Sequence, residues 1–343
     1  MVEITIRGAG IFGLSVGWAC VKRGATVQII DPFGPASGAS GGIVGALAPH
    51  VPEKWSAKKA FQLDSLLMAE TFWREIEAIG GGHSGYARKG RLQPIMNDRG
   101  VELAQRRAEA AHEFWHDDAV WQVVQATGAD WEPSSPTGWL IYDSLSALIR
   151  PRQACNALVA ALAAKGVEVK TEGNDQGQVL WATGVAGLTE MSATYDRVVG
   201  AGEKGQAALL AHDARGLPQL FADGVHIIPH SDGTVAIGST TERYFDNPDQ
   251  TDALLDDVIA RARAAVPALA NAPVIDRWAE LRPRSHSRAP MLGAWPDRPE
   301  QFIANGGFKI GFGMAPKIAD VMADLLLDGH DMIPDGFRVS DNF

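Results

Sequence analysis

Three glycines near the start of the chain have the spacing of a dinucleotide-binding turn. Gly8, Gly10 and Gly13 form a G-x-G-x-x-G pattern between a predicted strand and a predicted helix. In such a turn the first glycine allows a tight bend, the second lets the backbone approach a pyrophosphate, and the third lets the helix pack closely on the strand. Asp31 ends the next predicted strand, where its carboxylate can accept hydrogen bonds from ribose hydroxyls. The pattern predicts a dinucleotide site.

The type of dinucleotide is indicated by Asp31 and by two further glycine-rich segments. A carboxylate at this position would repel the 2′-phosphate of NADP, so NADP is disfavoured. Segments 38–45 and 305–313 could let the backbone approach the isoalloxazine ring of FAD, which extends away from the first helix. NAD has less need of such contacts, so the distribution of glycines favours FAD.

The composition is that of a globular protein that acts on small molecules. The 343 residues include 31 Lys and Arg against 41 Asp and Glu, which gives a formal net charge of −10. This charge opposes binding to nucleic acid or to an anionic membrane surface. The two cysteines, Cys20 and Cys155, cannot supply a disulfide framework or a cysteine-rich metal site, so no metal is expected. We expect a cytoplasmic protein with no membrane segment; the sequence leaves an oligomer open.

The order of the predicted elements indicates two interleaved modules. A βαβ unit occupies residues 2–31, and a helix from Pro151 followed by a strand at 167–171 returns to the same alternation. The block 190–285 is rich in strands, with one helix near 252–265. We predict an α/β fold in which a Rossmann-type FAD-binding domain is interleaved with an antiparallel-sheet α+β substrate-binding domain. The predicted limits are 1–80, 145–190 and 290–343 for the first domain, and 81–144 and 191–289 for the second.

Two predicted boundaries bear directly on the cofactor site. Residues 178–184 are predicted to form a strand that runs into a Thr-Gly turn. The last helix is predicted over residues 314–327, after the glycine-rich turn 305–313. The amino terminus of that helix would then face the bound cofactor.

Several motifs in one order along nearly the whole chain carry a family likeness. They are GAGIFGLS (8–15), GASGGIVGALAPH (38–50), WATG (181–184), WAELRP (278–283) with PMLG (290–293), and NGGFKIGFGMAPKIADVMADLL (305–326). Together they resemble the D-amino-acid oxidase (DAO) family of FAD-dependent oxidoreductases, and within it most closely the glycine oxidases. This likeness indicates the cofactor more specifically than the substrate.

The resemblance implies which residues bind FAD. It puts residues 11, 12, 31 and 32 at the adenosine end, and residues 39–47 beside the pyrophosphate and the flavin. Segment 307–313 would lie along the pyrimidine edge of the flavin, where a helix amino terminus suits the negative charge of the reduced ring. The implied residues are Gly8, Gly10, Ile11, Phe12, Gly13, Asp31, Pro32, Ala39, Ser40, Val44, Gly45, Ala46, Leu47, Val169, Thr183, Gly184, Gly307, Phe308, Lys309, Ile310, Gly311, Phe312 and Gly313.

The resemblance also implies a substrate anchor. In the family, the arginine of an LRP run binds the substrate carboxylate, and that position is Arg282 here; a guanidinium matches a carboxylate with two parallel hydrogen bonds. Alternatively, Arg282 could form an ion pair with Glu280 or Asp276. The family's active-site tyrosine is replaced by His226, which could contact the substrate or serve the structure only. Further candidates are Lys309, Ala46, His50 and Tyr244.

The implied reaction is FAD-dependent oxidation of the C–N bond of a small amino acid or an N-substituted glycine. A hydride would pass from Cα to flavin N5, the imine would hydrolyse in water, and O2 or an electron carrier would reoxidise the flavin, with O2 giving H2O2. Some relatives attach FAD covalently to a later cysteine or to a histidine in the first flavin loop. No cysteine follows Cys155 and segment 38–45 has no histidine, so FAD is expected to be non-covalent.

Two alternatives stay open at this point. One is a flavoprotein that trims carboxymethylaminomethyl groups from tRNA, which the net charge of −10 disfavours because phosphate contacts need lysine and arginine. The other is an FAD-binding subunit without turnover of its own, which the replacement of the family tyrosine by His226 leaves open.

Overall fold

The computed structural model describes residues 3–343; Met1 and Val2, with which the predicted first strand and first domain begin, lie outside the described residues. The α-helices of the described chain are α1 (Ile11–Lys22), α2 (Ala57–Gly80), α3 (Asp98–Trp115), α4 (Pro151–Ala164), α5 (Gly184–Thr194), α6 (Ala253–Ala265) and α7 (Gly311–Asp328). Its strands are β1 (Ile4–Arg7), β2 (Val27–Ile30), β3 (Ala46–Leu47), β4 (Arg91–Pro94), β5 (Trp121–Gln125), β6 (Trp139–Asp143), β7 (Ala147–Leu148), β8 (Val169–Lys170), β9 (Gln178–Trp181), β10 (Gly200–Ala211), β11 (Gln219–Ala222), β12 (Val225–Pro229), β13 (Thr234–Gly238), β14 (Val274–Ser285), β15 (Met291–Ala294) and β16 (Gln301–Asn305).

A six-stranded sheet forms the centre of the dinucleotide-binding module. Its order is β15-β16-β9-β1-β2-β8, and all neighbours are parallel except β15 and β16. The consecutive residues Thr5 and Ile6 of β1 and Ile29 and Ile30 of β2 are all buried, as expected of parallel strands that are covered on both faces. Helices α1, α2, α4 and α7 contribute to the hydrophobic cluster on one face, and α5 to the cluster on the other.

An eight-stranded sheet forms the second module. Its order is β14-β10-β13-β12-β11-β4-β6-β5, and its pairs are antiparallel except for β11 with β4. The strands of this sheet come from two separated parts of the chain, residues 91–143 and 200–285. Together with the parallel sheet, it confirms the predicted α/β fold with a Rossmann-type part and an antiparallel part.

The two faces of the eight-stranded sheet have different partners. Ile227 and Ile237 belong to the hydrophobic cluster that includes residues of α6. Side chains alternate along a strand, so the residues between them face the other side. On that side, one row of paired residues crosses five neighbouring strands: Phe221, His226, Gly238, Ala207 and Trp278. This row faces the first module and forms one wall of the site described below.

Two helices differ from the prediction. Strand β9 runs into Thr183 and Gly184 as predicted, but residues 184–194 form α5, which the sequence did not indicate because its glycines and β-branched residues are weak helix formers. The last helix begins at Gly311 instead of residue 314. Gly311 lies close to Ile11 and Phe12 of α1, so this glycine allows the starts of α1 and α7 to approach.

The helices were also compared with the length and hydropathy that a membrane-spanning helix requires. Among residues 3–343, none of the helices combines the length and the apolar character that crossing a bilayer requires.

Candidate active site

A cavity of about 910 Å³ lies where the two modules meet. It is lined by the glycine turn between β1 and α1, by the loop 37–50, and by the starts of α5 and α7. The opposite wall comes from β11, β12 and β14 of the eight-stranded sheet. The cavity therefore has a wall built largely from turns and helix ends, and a second wall built from strand side chains.

The glycine turn is shaped by close backbone approaches. Gly8 has a φ of +106°, and a Cβ at this position would overlap the carbonyl oxygen of Ala182. A Cβ on Gly13 would overlap the carbonyl oxygen of Gly8. The amide of Ile11 donates a hydrogen bond of 3.0 Å to Ser40 Oγ, which ties the loop to the start of α1. These contacts hold the turn open toward the cavity.

Asp31 lies at the end of β2 and lines the cavity. Its Oδ2 accepts a 2.8 Å hydrogen bond from the amide of Ala9, and its Oδ1 accepts a 3.0 Å hydrogen bond from the amide of Phe33. Each carboxylate oxygen has a second lone pair for a further donor. Asp31 is thus oriented by the glycine turn and can accept hydrogen bonds from ribose hydroxyls.

Three helices begin at the cavity without a side-chain cap. The N-cap residues of α1, α5 and α7 are Gly10, Thr183 and Ile310, and none of them caps its helix with a side-chain hydrogen bond. The starts of α2 and α4 also lack a side-chain cap, whereas α3 and α6 are capped by Asn97 and Asp252. The amide groups at an uncapped helix start favour an anion, and the three starts around this cavity suit a diphosphate and a flavin.

The cofactor that the sequence implies fits these residues. Asp31 provides ribose acceptors, the uncapped helix starts provide amide donors, and Gly8 and Gly10 leave the cavity free of side chains. The hydroxyl of Thr183 lines the same region and has no hydrogen-bond partner among the described residues. The donors and acceptors at this end are therefore those that the ribose, pyrophosphate and flavin of FAD require.

Arg282 occupies the other end of the cavity and is 8% exposed. Its Nη1 donates a 2.6 Å hydrogen bond to Ser239 Oγ, and its Nη2 donates one of 2.6 Å to the carbonyl of Thr240. Nε has no partner among the described residues. The guanidinium lies over Gly205, where any Cβ would collide with it. Burial lowers the pKa of Arg282 to about 10, although Glu203 and Glu242 act in the opposite direction.

Phe308 and Lys309 lie next to Arg282. Phe308 has a φ of 44°, an uncommon conformation for a bulky residue, and its ring lies 5.4 Å from Arg282 Cζ and 5.6 Å from Lys309 Nζ. Lys309 Nζ donates a 2.6 Å hydrogen bond to Thr241 Oγ1. Burial and the neighbouring charge of Arg282 lower the pKa of Lys309. The cavity end therefore holds two cations around one aromatic ring.

His226 lines the cavity from β12, with its ring 4.6 Å from the ring of Phe221. Burial, together with the charges of Arg91 and Lys309, lowers the pKa of His226 to about 3. Its imidazole is therefore neutral at physiological pH and offers one donor and one acceptor nitrogen. Nδ1 has no hydrogen-bond partner among residues 3–343.

His50 and Ala46 line the cavity from the loop and from β3. His50 Nδ1 lies 2.5 Å from Gln62 Oε1, and the same oxygen accepts the amide of His50 at 2.7 Å. Burial lowers the pKa of His50. Gln62 on α2 thus fixes the orientation of a neutral imidazole.

Most of the residues singled out from the sequence line this one cavity, and four do not. Gly13 and Leu47 lie behind its wall, and Val169 belongs to the edge strand β8, where it pairs with Ile29. Tyr244 is 94% exposed and lies outside the cavity. We therefore leave Tyr244 out of the functional proposal.

The sequence reasoning missed several residues of the second wall. They are Arg91, Phe221, Ser239, Trp278 and Glu280, which all line the cavity. Arg91, Phe221 and the pair Trp278 and Glu280 lie on three different strands, and Ser239 follows a fourth, so only the order of strands in the sheet brings them together. The only feature of the sequence that could have indicated them is the alternation of side chains along each strand. This alternation does not show which face of the sheet lines the cavity.

Comparisons with known proteins agree with this geometry. A family model described as FAD dependent oxidoreductase (DAO) matches residues 3–325. The bifunctional protein ThiO/ThiG from Nostoc sp. is 25% identical over 95% of this chain and 53% of its own, so the chain spans about half the length of this curated relative. The structure of glycine oxidase from Geobacillus kaustophilus aligns with a TM-score of 0.83 and 21% identity over 98% of each chain.

A further solved structure has the same fold. Iminodiacetate oxidase from Chelativorans sp. aligns with a TM-score of 0.82 and 19% identity over 98% of each chain. These alignments confirm the likeness to glycine oxidases and the predicted fold class. Since the family model covers nearly the whole chain and the cavity fits the cofactor, the chain belongs to the DAO family of FAD-dependent oxidoreductases, with FAD as its cofactor.

Proposed function

We propose that this protein oxidises the C–N bond of a small amino acid or an N-substituted glycine, with non-covalently bound FAD. The observation that carries the proposal is Arg282, a buried guanidinium that lines the cavity beside Phe308 and Lys309, just before the start of α7. Its Nη1 has one hydrogen that no protein atom accepts, and a substrate carboxylate is a suitable acceptor for it.

Arg282 would hold the substrate carboxylate and so orient the rest of the molecule. Ser239 and the carbonyl of Thr240 fix the guanidinium by accepting from its Nη atoms. Nη2 donates its second hydrogen to the carbonyl of Lys204, so one hydrogen of Nη1 is left for a ligand. Fixing a small amino acid at its carboxylate restricts the positions open to its Cα and amine, which is how orientation lowers a reaction barrier.

Bound FAD supplies an acceptor for the hydride that leaves the substrate carbon. The protein residues bind and desolvate the substrate. Phe221, Phe308 and Trp278 exclude water from the strand wall, and Lys309 adds positive charge beside the carboxylate anchor. Neutral His226 can donate to a carboxylate oxygen or accept from an amine. The reaction does not require a protein base.

The relatives support the substrate class at a coarse level. One aligned structure is named glycine oxidase and another iminodiacetate oxidase. Glycine and iminodiacetate are both small carboxylates with an amine nitrogen next to the α carbon, which suits a cavity with a carboxylate anchor. We extend this substrate class to the present chain as part of the proposal.

Anaerobic mixing of the FAD-loaded protein with amino acids tests the proposal. Glycine, sarcosine, D-amino acids and iminodiacetate are added one at a time, and the visible flavin absorbance is followed. Loss of absorbance with one compound class is expected, and subsequent admission of air tests whether O2 restores it with formation of H2O2. A protein whose flavin is reduced by dithionite but by none of these compounds would contradict the proposal and favour a subunit without turnover or a tRNA substrate.

A further inference from the structure

Arg91 is the cation in this cavity that the proposed reaction does not use. It lies on β4, is 6% exposed and lines the cavity from the same sheet as Arg282, five strands away from β14. Its Nε donates a 2.9 Å hydrogen bond to Oδ2 of Asp143, which is fully buried. Within residues 3–343, neither of its Nη atoms donates a hydrogen bond to the protein, although both belong to a side chain that is more than nine-tenths buried.

The strand order shows that Arg91 and Arg282 share one wall. Arg91 pairs with Gln219 of β11, two residues before Phe221, so Arg91 and Phe221 point to the same face. Phe221 pairs with His226, and His226 with Gly238, which precedes Ser239. The charge of Arg91 helps to lower the pKa of His226, which shows that the two groups are neighbours. A continuous lining thus connects the two arginines.

The separation of the two arginines limits the length of a shared ligand. The guanidinium of Arg282 crosses over Gly205 and reaches Ser239, next to β13. From β13 to β4 the sheet has three strand spacings, about 14 Å along the wall. Since the strands are this far apart, we expect a ligand that reaches both arginine side chains to be longer than a four-carbon diacid.

Charge balance indicates a carboxylate. Arg91, Arg282 and Lys309 line the cavity beside this wall, and Glu280 is the acid that lines it there; Asp143 lies behind Arg91, and Glu203 and Glu242 lie near Arg282. The groups that line this wall therefore carry more positive than negative charge, which favours an anionic group of the ligand. Since Asp143 already neutralises much of the charge of Arg91, a carboxylate suits this position better than a more highly charged phosphate.

We propose that Arg91 and His226 form a second anion subsite, so that the substrate is an elongated amino acid with a second carboxylate at the far end of its side chain or N-substituent. This inference rests on the proposed function, because Arg282 is taken to bind the first carboxylate. The uncharged imidazole of His226 can donate one hydrogen bond to the same carboxylate that Arg91 binds.

Binding of redox-inert acids to the FAD-loaded protein tests the subsite without turnover. Dissociation constants of succinate, glutarate, adipate and pimelate are measured by calorimetry, with butyrate, pentanoate, hexanoate and heptanoate as monocarboxylates of matched length. Adipate or pimelate is expected to bind at least tenfold more tightly than its matched monocarboxylate, whereas succinate shows no such advantage. Equal binding of mono- and dicarboxylates at every length would overturn the subsite.

Variants locate the effect at Arg91. Since Arg91→Met alone would leave the buried Asp143 without its partner, the pair is removed together as Arg91→Met/Asp143→Asn. This variant should lose the dicarboxylate advantage and keep its monocarboxylate affinity within about threefold. Arg88→Met is the matched control, because Arg88 binds the carbonyls of Ser144 and Asp118 outside the cavity. An advantage that survives in the double variant would overturn the assignment to Arg91.

The measurement separates the subsite from the proposed function. Monocarboxylate binding without a dicarboxylate advantage would overturn the subsite and leave the anchor at Arg282 intact. Absence of binding of both series to FAD-loaded protein would overturn both the anchor and the subsite. A dicarboxylate advantage in a protein whose flavin no amino acid reduces would support the subsite and contradict the proposed oxidation.

Discussion

The two ends of the cavity are built in different ways. At the cofactor end, the groups that face a ligand are mainly backbone amides at the starts of α1, α5 and α7, with glycines that keep side chains out. At the substrate end, they are side chains from separate strands, above all Arg91, His226 and Arg282. A site built from backbone amides tolerates few substitutions in the turn itself but many substitutions around it. A site built from side chains can change its ligand specificity by the substitution of one residue at a time.

The largest effect is expected from a Cβ in the glycine turn. Gly8→Ala would place a methyl group against the carbonyl of Ala182 at a positive φ, so the turn must move. We expect FAD affinity to fall at least about 100-fold, equivalent to about 2.7 kcal/mol. The measurement is the FAD dissociation constant from quenching of flavin fluorescence.

Gly24→Ala is the matched control for Gly8→Ala. Gly24 also has a positive φ, +89°, but a Cβ at this position would have no atom within 4 Å, and Gly24 is outside the cavity. Strain alone should lower the free energy of unfolding by roughly 1 kcal/mol and leave FAD affinity unchanged. Equal loss of FAD affinity in both variants would contradict the assigned role of the turn.

The next effect concerns the substrate anchor. Arg282→Lys keeps the positive charge but loses the planar fork that orients a carboxylate. We expect kcat/KM for the amino acid to fall about 100-fold, because a small misplacement of the reacting carbon is costly. The FAD content should be that of the unmodified protein. Arg277→Lys, at an exposed arginine paired with Asp256, is the control and should change neither quantity.

A pH dependence of stability is expected from two buried histidines. His226 and His230 have pKa values of about 3 and about 4 in the folded protein, lowered mainly by burial, against about 6.5 when unfolded. Between pH 6.5 and 4 the unfolded chain therefore binds protons that the folded chain does not, so stability falls as the pH falls.

Urea unfolding at pH 4.5, 5.5 and 6.5 measures this dependence. Each histidine can contribute up to about 1.4 kcal/mol per pH unit, and His226→Gln and His230→Gln should each make the dependence shallower. His230 lies outside the cavity, so its variant should leave substrate binding unchanged, whereas that of His226 should not. An unaltered pH dependence in both variants would show that these imidazoles are not held neutral.

The smallest effect is expected from a single hydroxyl at the cofactor end. Ser40→Ala removes the acceptor for the amide of Ile11 and frees that amide for solvent or ligand. We expect FAD affinity to fall by about threefold to tenfold. Ser37→Ala, also in the cavity lining, is the control and should have no effect on the FAD dissociation constant.

How far the sequence could predict the molecule also differs between the two ends. The sequence predicted the glycine turn at residues 8–13 and the role of Asp31. Both belong to one βαβ unit, which is contiguous in the chain and needs particular residue types at these positions. The start of α7 was placed three residues late because Gly311 and Gly313 are poor helix formers that packing against α1 and α2 overrides.

The substrate end was only partly predictable. Arg282 was found through the family motif, but Arg91 was not, because its place beside His226 depends on β11 lying between β4 and β12. Short strands give no local signal for their order in a sheet. Tyr244 was proposed from its proximity in sequence to β13, whereas its side chain extends into solvent.

The division of the cavity into two ends is tested most directly by measuring two affinities in one variant. In FAD-loaded Arg282→Met, the dissociation constants of FAD and of propionate, a redox-inert monocarboxylate, are compared with those of the unmodified protein. We predict that propionate affinity falls at least about tenfold while FAD affinity stays within threefold. A parallel loss of both affinities, or retention of propionate binding, would contradict the account.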